Sequence, residues 1–423
     1  MQKYDVIVAG GGFAGTAAAI SAARGGAKVL IIDKGNSFGG AAANCLVNPY
    51  MLYWTINPET KQKKVLSAGL FSEINAELAK FGATKPVNDT DLGFHEEYLK
   101  LVLNRMVLKE KIDILFNSYI HGCETEEGKI KSVTIVNKSG NTTYAADVFI
   151  DCTGDADIAV MSGCPYRLGR EEDNLCQPMT LCFRVVNVDM EQFKKDRQII
   201  NTVYKEHQAA GKIKNIREDV LTFYTLIDGV IHFNSTRVVK KNPTDGRDIT
   251  LAELDAREQV FELFDFLKAN FASFKNAAIM NTAAQIGVRE SRMIIGKYVL
   301  TQEDLLACTH FDDTIATCNY DIDIHNPEGS GTSHYYFKPG DYYTIPYRCL
   351  VPNEITNLLV AGRCISSTHE AQASYRIMPV CCCLGEAAGT AAALAVQSGN
   401  FDVEKVDIAT LQKTLKDNGA VID

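Results

Sequence analysis

The chain lacks the features that mark several classes of protein. It has no surplus of positive charge: 43 Lys and Arg stand against 52 Asp and Glu in 423 residues, a net charge of −9. This mildly acidic balance, with no long basic run, argues against nucleic acid or an anionic membrane surface as a partner. No apolar stretch reads as reaching the ~18–20 residues a membrane span needs. The first strand-like segment opens at Tyr4, so no charged and apolar cleavable leader is expected before it. The thirteen cysteines lack a metal-ligand spacing. Cys381, Cys382 and Cys383 are consecutive and would point in different directions on a helix. Cys152, Cys164, Cys176 and Cys182 are spread over strand and loop. No metal or iron–sulfur site is expected. The thiols read as reduced, small hydrophobes of a cytoplasmic chain.

What is present starts at the first residues. With 46% hydrophobic residues the chain can bury a full core, and its length suggests two or three units at ~150 residues each. Residues 4–9, YDVIVA, read as a strand buried on both faces. Gly10, Gly12 and Gly15 follow in the spacing G-x-G-x-x-G, with Phe13 and Ala14 between them. An alanine-rich helix runs from Thr16 to about Arg24 and is stopped by Gly25-Gly26. A second strand, 28–32, ends at Asp33. Gly10 lets the strand turn, Gly12 keeps side chains away from a pyrophosphate, and Gly15 lets the helix pack close to the sheet. The helix N-terminus offers free N–H groups and a positive dipole end to phosphate, and Asp33 can accept from a ribose. Flanked in this way, the glycines signal dinucleotide binding. The motif alone leaves FAD and NAD both open.

Three further stretches bear on that choice. Residues 37–44, SFGGAAAN, place a second glycine pair, Gly39 and Gly40, just after Asp33 and Lys34, followed by Ala41 and Asn44. Residues 112–155 read as a β-meander of the segments IDILF, KIKSVTIV and TYAADVFID, ending in a tight polar turn at Thr153-Gly154-Asp155. Residues 357–394 contain a buried strand, LLVAG, ending at Gly362-Arg363. A polar loop follows, then a helix opened by Met378-Pro379, with proline at the first helical position. The positive end of that helix could face the edge of a flavin where charge collects on reduction.

Together these stretches resemble the FAD-dependent oxidoreductases of the glutathione-reductase-like fold. The closest resemblance is to a bacterial group near the fumarate reductase flavoproteins and the heterodisulfide reductase flavin subunit. The marks are VIVAGGGFAGTAAAISAAR, FGGAAAN, VFIDCTGDADIA, VIHFNSTRV, GVRESRMIIGKYVLT, IDIH and NLLVAGRCISSTHEAQASYRIMPVCCCLGEAAGTAA, which span nearly the whole chain. The resemblance implies non-covalent FAD. It places Gly10, Gly12 and Gly15 at the pyrophosphate and Asp33 at the adenosine ribose. Gly39, Gly40 and Asn44 would lie along the cofactor, and Ile120 would offer its backbone to the adenine. Thr153-Gly154-Asp155 would pack at the cofactor, and Met378 and Pro379 would sit at the flavin ring. Gly362-Arg363 stands where many relatives have Gly-Asp, so the usual ribityl contact is missing. No second G-x-G-x-x-G occurs between residues 160 and 350, no C-x₂₋₄-C pair lies beside the flavin stretch, and no histidine lies in residues 36–48. A separate NAD(P)H domain, a redox disulfide and a histidyl-flavin bond are not expected.

The fold expected is α/β: a discontinuous Rossmann-like FAD-binding domain with a β-meander, residues 1–165 and 346–423, and an inserted α+β substrate or cap domain, residues 166–345. In the insert, MTLCFRVVNV, VLTFYTLI and VIHFNSTRVV read as strands, with a hairpin turn at Asp228-Gly229. Thr250-x-x-Glu253 reads as a capping box opening a helix with Leu251, Leu254, Phe261, Phe264, Leu267 and Phe271 on its apolar side. Candidate catalytic residues are Arg376 and His369, ahead of the last helix, Arg289 in a GVRESR helix with Arg292, and His232, which shares a strand face with Asn234. Arg289 with Glu290 also reads as a structural ion pair. His325 and His334 lie in a tyrosine-rich loop with Tyr335 and Tyr336. An arginine pair suits a carboxylate-bearing substrate. The leading expectation is hydride transfer between a small organic substrate and flavin N5. The alternatives are an electron-transfer flavin subunit with a partner protein, and a non-redox FAD-containing binding protein.

Overall fold

The computed structural model describes residues 2–423. Its organising element is the first strand, Gln2–Ala9, which pairs in parallel with Val29–Ile32 on one side and Gly140–Asp151 on the other. The sheet has seven strands, mostly parallel at its centre. Val29–Ile32 pairs onward with Asp113–Leu115, also in parallel. Gly140–Asp151 is long enough to serve two partners on its other edge. Its first half pairs antiparallel with Lys129–Asn137, and its second half pairs in parallel with Leu358–Val360. The meander is therefore Tyr119–Glu126, Lys129–Asn137 and Gly140–Asp151. The IDILF segment, expected within it, is instead the outer parallel strand, because its apolar residues are needed beside Val29–Ile32.

Register fixes where the parallel strands stop. Ala9 stands beside Ile32 and Asp151, and Asp151 beside Val360. Their carboxyl ends line up, and the crevice beyond such ends is where α/β sheets bind ligands.

The first helix, Phe13–Arg24, packs on the long C-terminal helix, Met378–Gln397. The contact is backbone to backbone. A Cβ at Gly385 would stand 2.0 Å from the Ala14 carbonyl oxygen, and one at Gly389 2.1 Å from that of Ala18. The small-residue composition of both helices is thus a packing requirement. Met378–Gln397 is long and apolar enough to cross a membrane, which corrects the expectation that no stretch reaches that length. Of its most apolar 18-residue window 83% is buried within the protein, and its apolarity goes into the core. Pro379 takes the second helical position, and Met378 the first.

A second core gathers Leu46 with side chains from Met179 to Ile286. Its antiparallel sheet runs in the order Thr222–Tyr224, Ile231–Phe233, Phe183–Val186, Ala278–Thr282. Phe183 and Phe233 stack on one face, with ring centroids 4.7 Å apart. The cross-strand set Arg184, His232 and Phe223 occupies the other face. Side chains between Leu300 and Ile345 pack with the first core, beside Met378–Gln397.

The helix of the insert runs Gly246–Asn270, four residues earlier than the expected capping box. Asp245 caps it by accepting from the Arg247 and Asp248 amides. Thr250 donates to the Gly246 carbonyl, and Glu253 accepts from the Ile286 amide. The expected apolar face is corrected in part: Leu267 and Phe271 are buried as expected, but Leu251, Leu254 and Phe261 are exposed, and Ala252, Ala256, Val260 and Leu263 join the buried side.

Candidate functional site

The glycine turn after the first strand has the geometry a dinucleotide needs. A Cβ at Gly10, whose φ is +95°, would stand 2.3 Å from the Cys152 carbonyl oxygen, and one at Gly15 1.7 Å from that of Gly10. Gly12 is the N-cap of the first helix and no side chain caps it, so the first-turn amides of Phe13, Ala14 and Gly15 have no intrahelical acceptor. Gly40 faces Gly12 across the turn, with a Gly40 Cβ position 2.8 Å from the Gly12 Cα. The two backbones leave a path without side chains, with free N–H groups at its end. That donor set fits a diphosphate.

The neighbouring strand ends converge on the same place. The Gly11 and Gly35 amides donate to the Asp33 carboxylate, the latter at 2.6 Å, and burial holds its pKa above the usual carboxylate range. Asn117 and Ser118 run beside this turn through backbone bonds to Gly35 and Asp33, which brings Ile120, on the meander's first strand, close behind. Ala41 and Asn44 lie in a short helix at Ala41–Asn44, Gly39 just before it. Asp151 accepts from the Thr153 amide and hydroxyl and from the Ala159 amide, and so shapes the Thr153-Gly154-Asp155 turn. Burial, followed by Asp157 nearby, raises the Asp151 pKa to about 6.

Arg363 lies across that turn. Its guanidinium carbon would stand 2.9 Å from a Cβ at Gly154, its Nη2 donates to Asp155 at 2.6 Å, and its buried Nε has no partner. Lys34 stands 3.8 Å from the other oxygen of Asp155. Gly362, Met378 and Pro379 complete the rim, from the end of strand Leu358–Val360 and the start of the C-terminal helix. The cofactor stretches named in the sequence are therefore gathered at one edge of one sheet.

The segment before the C-terminal helix, expected as a loop, is a helix, His369–Tyr375, capped by Thr368. Arg376 follows as its C-cap residue. Arg376 Nη2 donates to the Asp323 carbonyl at 3.2 Å and to Gln177 Oε1 at 3.4 Å, while its buried Nε has no partner.

Arg289 and Arg292 do not share a helix. Residues 287–291 are not helical and Arg292 opens the strand Arg292–Ile294, and the two arginines go to different partners. Arg292 is bound to Asp157 and the Asp155 carbonyl. Arg289 donates to the Pro178 carbonyl at 2.7 Å, to Thr180 Oγ1 at 2.6 Å and to Asn234 Oδ1 at 3.3 Å. None of these carries charge. Burial first, then Arg376, pushes its pKa down to about 9.

Glu290 is not its ion-pair partner. Glu290, fully buried, binds His369 Nδ1 at 2.7 Å and accepts from the Gln177 amide at 2.8 Å. Burial disfavours the His369 imidazolium, but Glu290 more than offsets this and leaves its pKa raised. Gln372 joins the groups by donating to the Arg289 carbonyl and accepting from Gln177. His232 stays in the second sheet beside Arg184 and Phe223, with both ring nitrogens unpartnered, and burial followed by Arg184 lowers its pKa to about 3. Asn234, two residues on, is the residue of that strand end that reaches Arg289.

Sequence reading missed the Glu290–His369 pair, because its members are 79 positions apart. It also missed Arg184, which binds both oxygens of Glu96 in a buried pair. His325 and His334 stand on the paired strands Ile322–His325 and Thr332–Tyr335 where a loop was expected.

The family model described as FAD dependent oxidoreductase matches residues 5–415. The chain belongs to this family. Its cofactor is FAD, and the uncapped helix start, facing glycines and orphaned Arg363 Nε are residues that fit it. No curated protein matches the sequence. Among solved structures, the chain is similar to a geranylgeranyl bacteriochlorophyll reductase-like protein from Thermoplasma acidophilum, with 13% identity, 99% of this chain and 85% of that one covered, and a TM-score of 0.47. It is similar to BexE, a protein of BE-7585A biosynthesis, with 12% identity, 98% and 68% covered and a TM-score of 0.48. A third similarity is to the p-nitrophenol 4-monooxygenase PnpA from Pseudomonas putida DLL-E4, with 10% identity, 100% and 84% covered and a TM-score of 0.43.

Proposed function

We propose that this FAD-dependent oxidoreductase moves hydride between a small, carboxylate-bearing organic substrate and flavin N5. Arg289 and Arg376 receive the carboxylate, and His369 carries the accompanying proton. Bound FAD supplies the two-electron centre. One observation carries the reading: Arg289 is a half-buried guanidinium whose hydrogen bonds all go to neutral oxygens, and burial followed by Arg376 pushes its pKa down to about 9. A buried charge is retained when something pairs with it. A carboxylate bridging two guanidiniums would do so with charge-assisted bonds. Glu290 orients His369 through Nδ1 and stabilises its protonated form, which leaves Nε2 to exchange the proton.

The roles given to the cofactor residues, Gly10 through Pro379, belong to this proposal. So does the division into a discontinuous FAD unit and an inserted cap, whose own core is the Met179–Ile286 cluster. The face of the cap sheet that carries Arg184, His232 and Asn234 holds orphaned polar atoms, Arg184 Nε and both His232 nitrogens, which supports a ligand-facing role. All thirteen cysteines are unpaired, which supports a reducing, cytoplasmic setting.

The test is anaerobic titration of the FAD-loaded protein with a panel of small carboxylates and their esters, following the flavin band at about 450 nm. Bleaching by an acid and not by its ester supports the reading. Equal bleaching by both, or bleaching that survives Arg289→Met unchanged, overturns it.

A further inference from the structure

We propose that Asp321, Asp323 and His334 form a divalent-cation site beside Arg376. The three side chains come together on the hairpin Ile322–His325 and Thr332–Tyr335. Asp323 and His334 are directly opposite in its register, so their side chains share a face, and Asp321 lies two residues before Asp323. His334 Nδ1 stands 2.5 Å from Asp321 Oδ2 and 3.7 Å from Asp323 Oδ1, and one ligating atom from each residue lies within 4.8 Å of the others. The Tyr336 ring stacks on the imidazole, centroids 5.3 Å apart and nearly parallel, and holds its orientation.

The second observation is the state of Asp323. The residue is only 7% exposed, and its two oxygens differ. Oδ2 is occupied by the Tyr320 hydroxyl at 3.2 Å, His325 Nε2 at 3.3 Å and Arg376 Nη2 at 3.5 Å. Oδ1 has no partner and is closed to water. A desolvated carboxylate oxygen with no donor is costly, and a native fold supplies something to meet it. The direction it faces is that of Asp321 and His334. Arg376 reaches only Oδ2, and Arg237 is taken by Glu218. A divalent ion would meet Oδ1, which neither arginine does.

Two carboxylates and one imidazole suit a borderline divalent ion such as Mn²⁺, Fe²⁺ or Zn²⁺ over Mg²⁺ or Ca²⁺, which favour all-oxygen sets. Three protein ligands leave positions open for water or a substrate oxygen. The His334 side chain, 35% exposed, gives the ion a route from solvent. This site was not foreseen from cysteine spacing, because none of its ligands is a cysteine. Its existence does not depend on the substrate reading of Arg289.

The experiment is calorimetric titration of the chelator-stripped, FAD-loaded full chain with MnCl₂. One Mn²⁺ per chain is expected, weakened at least tenfold in Asp321→Asn and in His334→Gln, with the flavin absorbance and circular dichroism of both variants unchanged. If Asp321→Asn fails to hold FAD, His334→Gln, altered at a part-exposed ring, carries the comparison. No Mn²⁺ uptake by the unaltered protein overturns the proposal. Equal uptake by His334→Gln overturns it by placing the ion elsewhere.

Discussion

Glu386 gives the sharpest test of the packing that carries the cofactor edge. It sits inside the C-terminal helix, 2% exposed, with Oε2 accepting from the Leu70 amide at 2.9 Å. Gly69, the N-cap of the helix Leu70–Ala79, is the only kind of residue that leaves room for it, since a Cβ there would stand 2.3 Å from Oε2. Burial raises the Glu386 pKa from 4.5 to about 7, with the Leu70 bond and Arg24 opposing and Glu73 reinforcing. The folded protein therefore keeps a proton that the unfolded chain has already released between those two values. Stability from this group is fully present below pH 4.5, falls as pH rises through the window, and is lost above about pH 7. At about 1.4 kcal/mol per pH unit, the loss amounts to ~3 kcal/mol. Glu386→Gln keeps the volume and the acceptor for Leu70 but cannot ionise. Denaturant unfolding at pH 5 and pH 8, followed by circular dichroism, should give near-equal stabilities at pH 5. At pH 8 the variant should be more stable by ~2–3 kcal/mol. A variant that is less stable at pH 8, or a difference that does not change with pH, would refute the assignment of a buried, reluctantly charged carboxylate.

Four further outcomes follow from other contacts. Arg289→Met should lower kcat/KM for a carboxylate substrate by about a hundredfold or more, from two lost charge-assisted bonds, while flavin content stays normal. Glu290→Gln removes the group that raises the His369 pKa, so the acidic limb of the pH–rate profile should move to lower pH; a limb that stays in place would separate His369 from the proton transfer. Arg184→Met leaves Glu96 buried and unpaired and should cost about 3–5 kcal/mol in denaturant unfolding, whereas the double change Arg184→Met with Glu96→Leu should recover most of it. Gly389→Val should separate the C-terminal helix from the first helix and be seen as loss of both thermal stability and bound flavin, since even a Cβ would meet the Ala18 carbonyl at 2.1 Å.

How much of this could be read in the sequence depended on distance along the chain and on how many patterns competed. The first thirty-three residues were legible because strand, glycine turn, helix, strand and acid follow one another, and each local preference agrees with the final packing. The two helices flanking the cofactor edge were legible for a similar reason, since runs of alanine and glycine fit little except close helix contact. The insert helix shows the opposite case. Its large apolar residues Leu251, Leu254 and Phe261 suggest one face, yet Ala252, Ala256, Val260 and Leu263, with the expected Leu267, form an equally good helical stripe, and that stripe is the one buried in the second core. Sequence alone ranks side chains by size, while a close-packed interface rewards the face whose smaller residues let the helix approach. The site itself was hidden by the same limit in a stronger form. Glu290 stands next to Arg289, so a salt bridge between them was the nearest explanation. In the folded chain, however, the two neighbours point apart: Glu290 reaches His369 while Arg289 is left among neutral oxygens. The residue types suggested the chemistry, but only the fold shows which charges lack an ionic partner, and Arg289, half-buried with only neutral acceptors, is one of them.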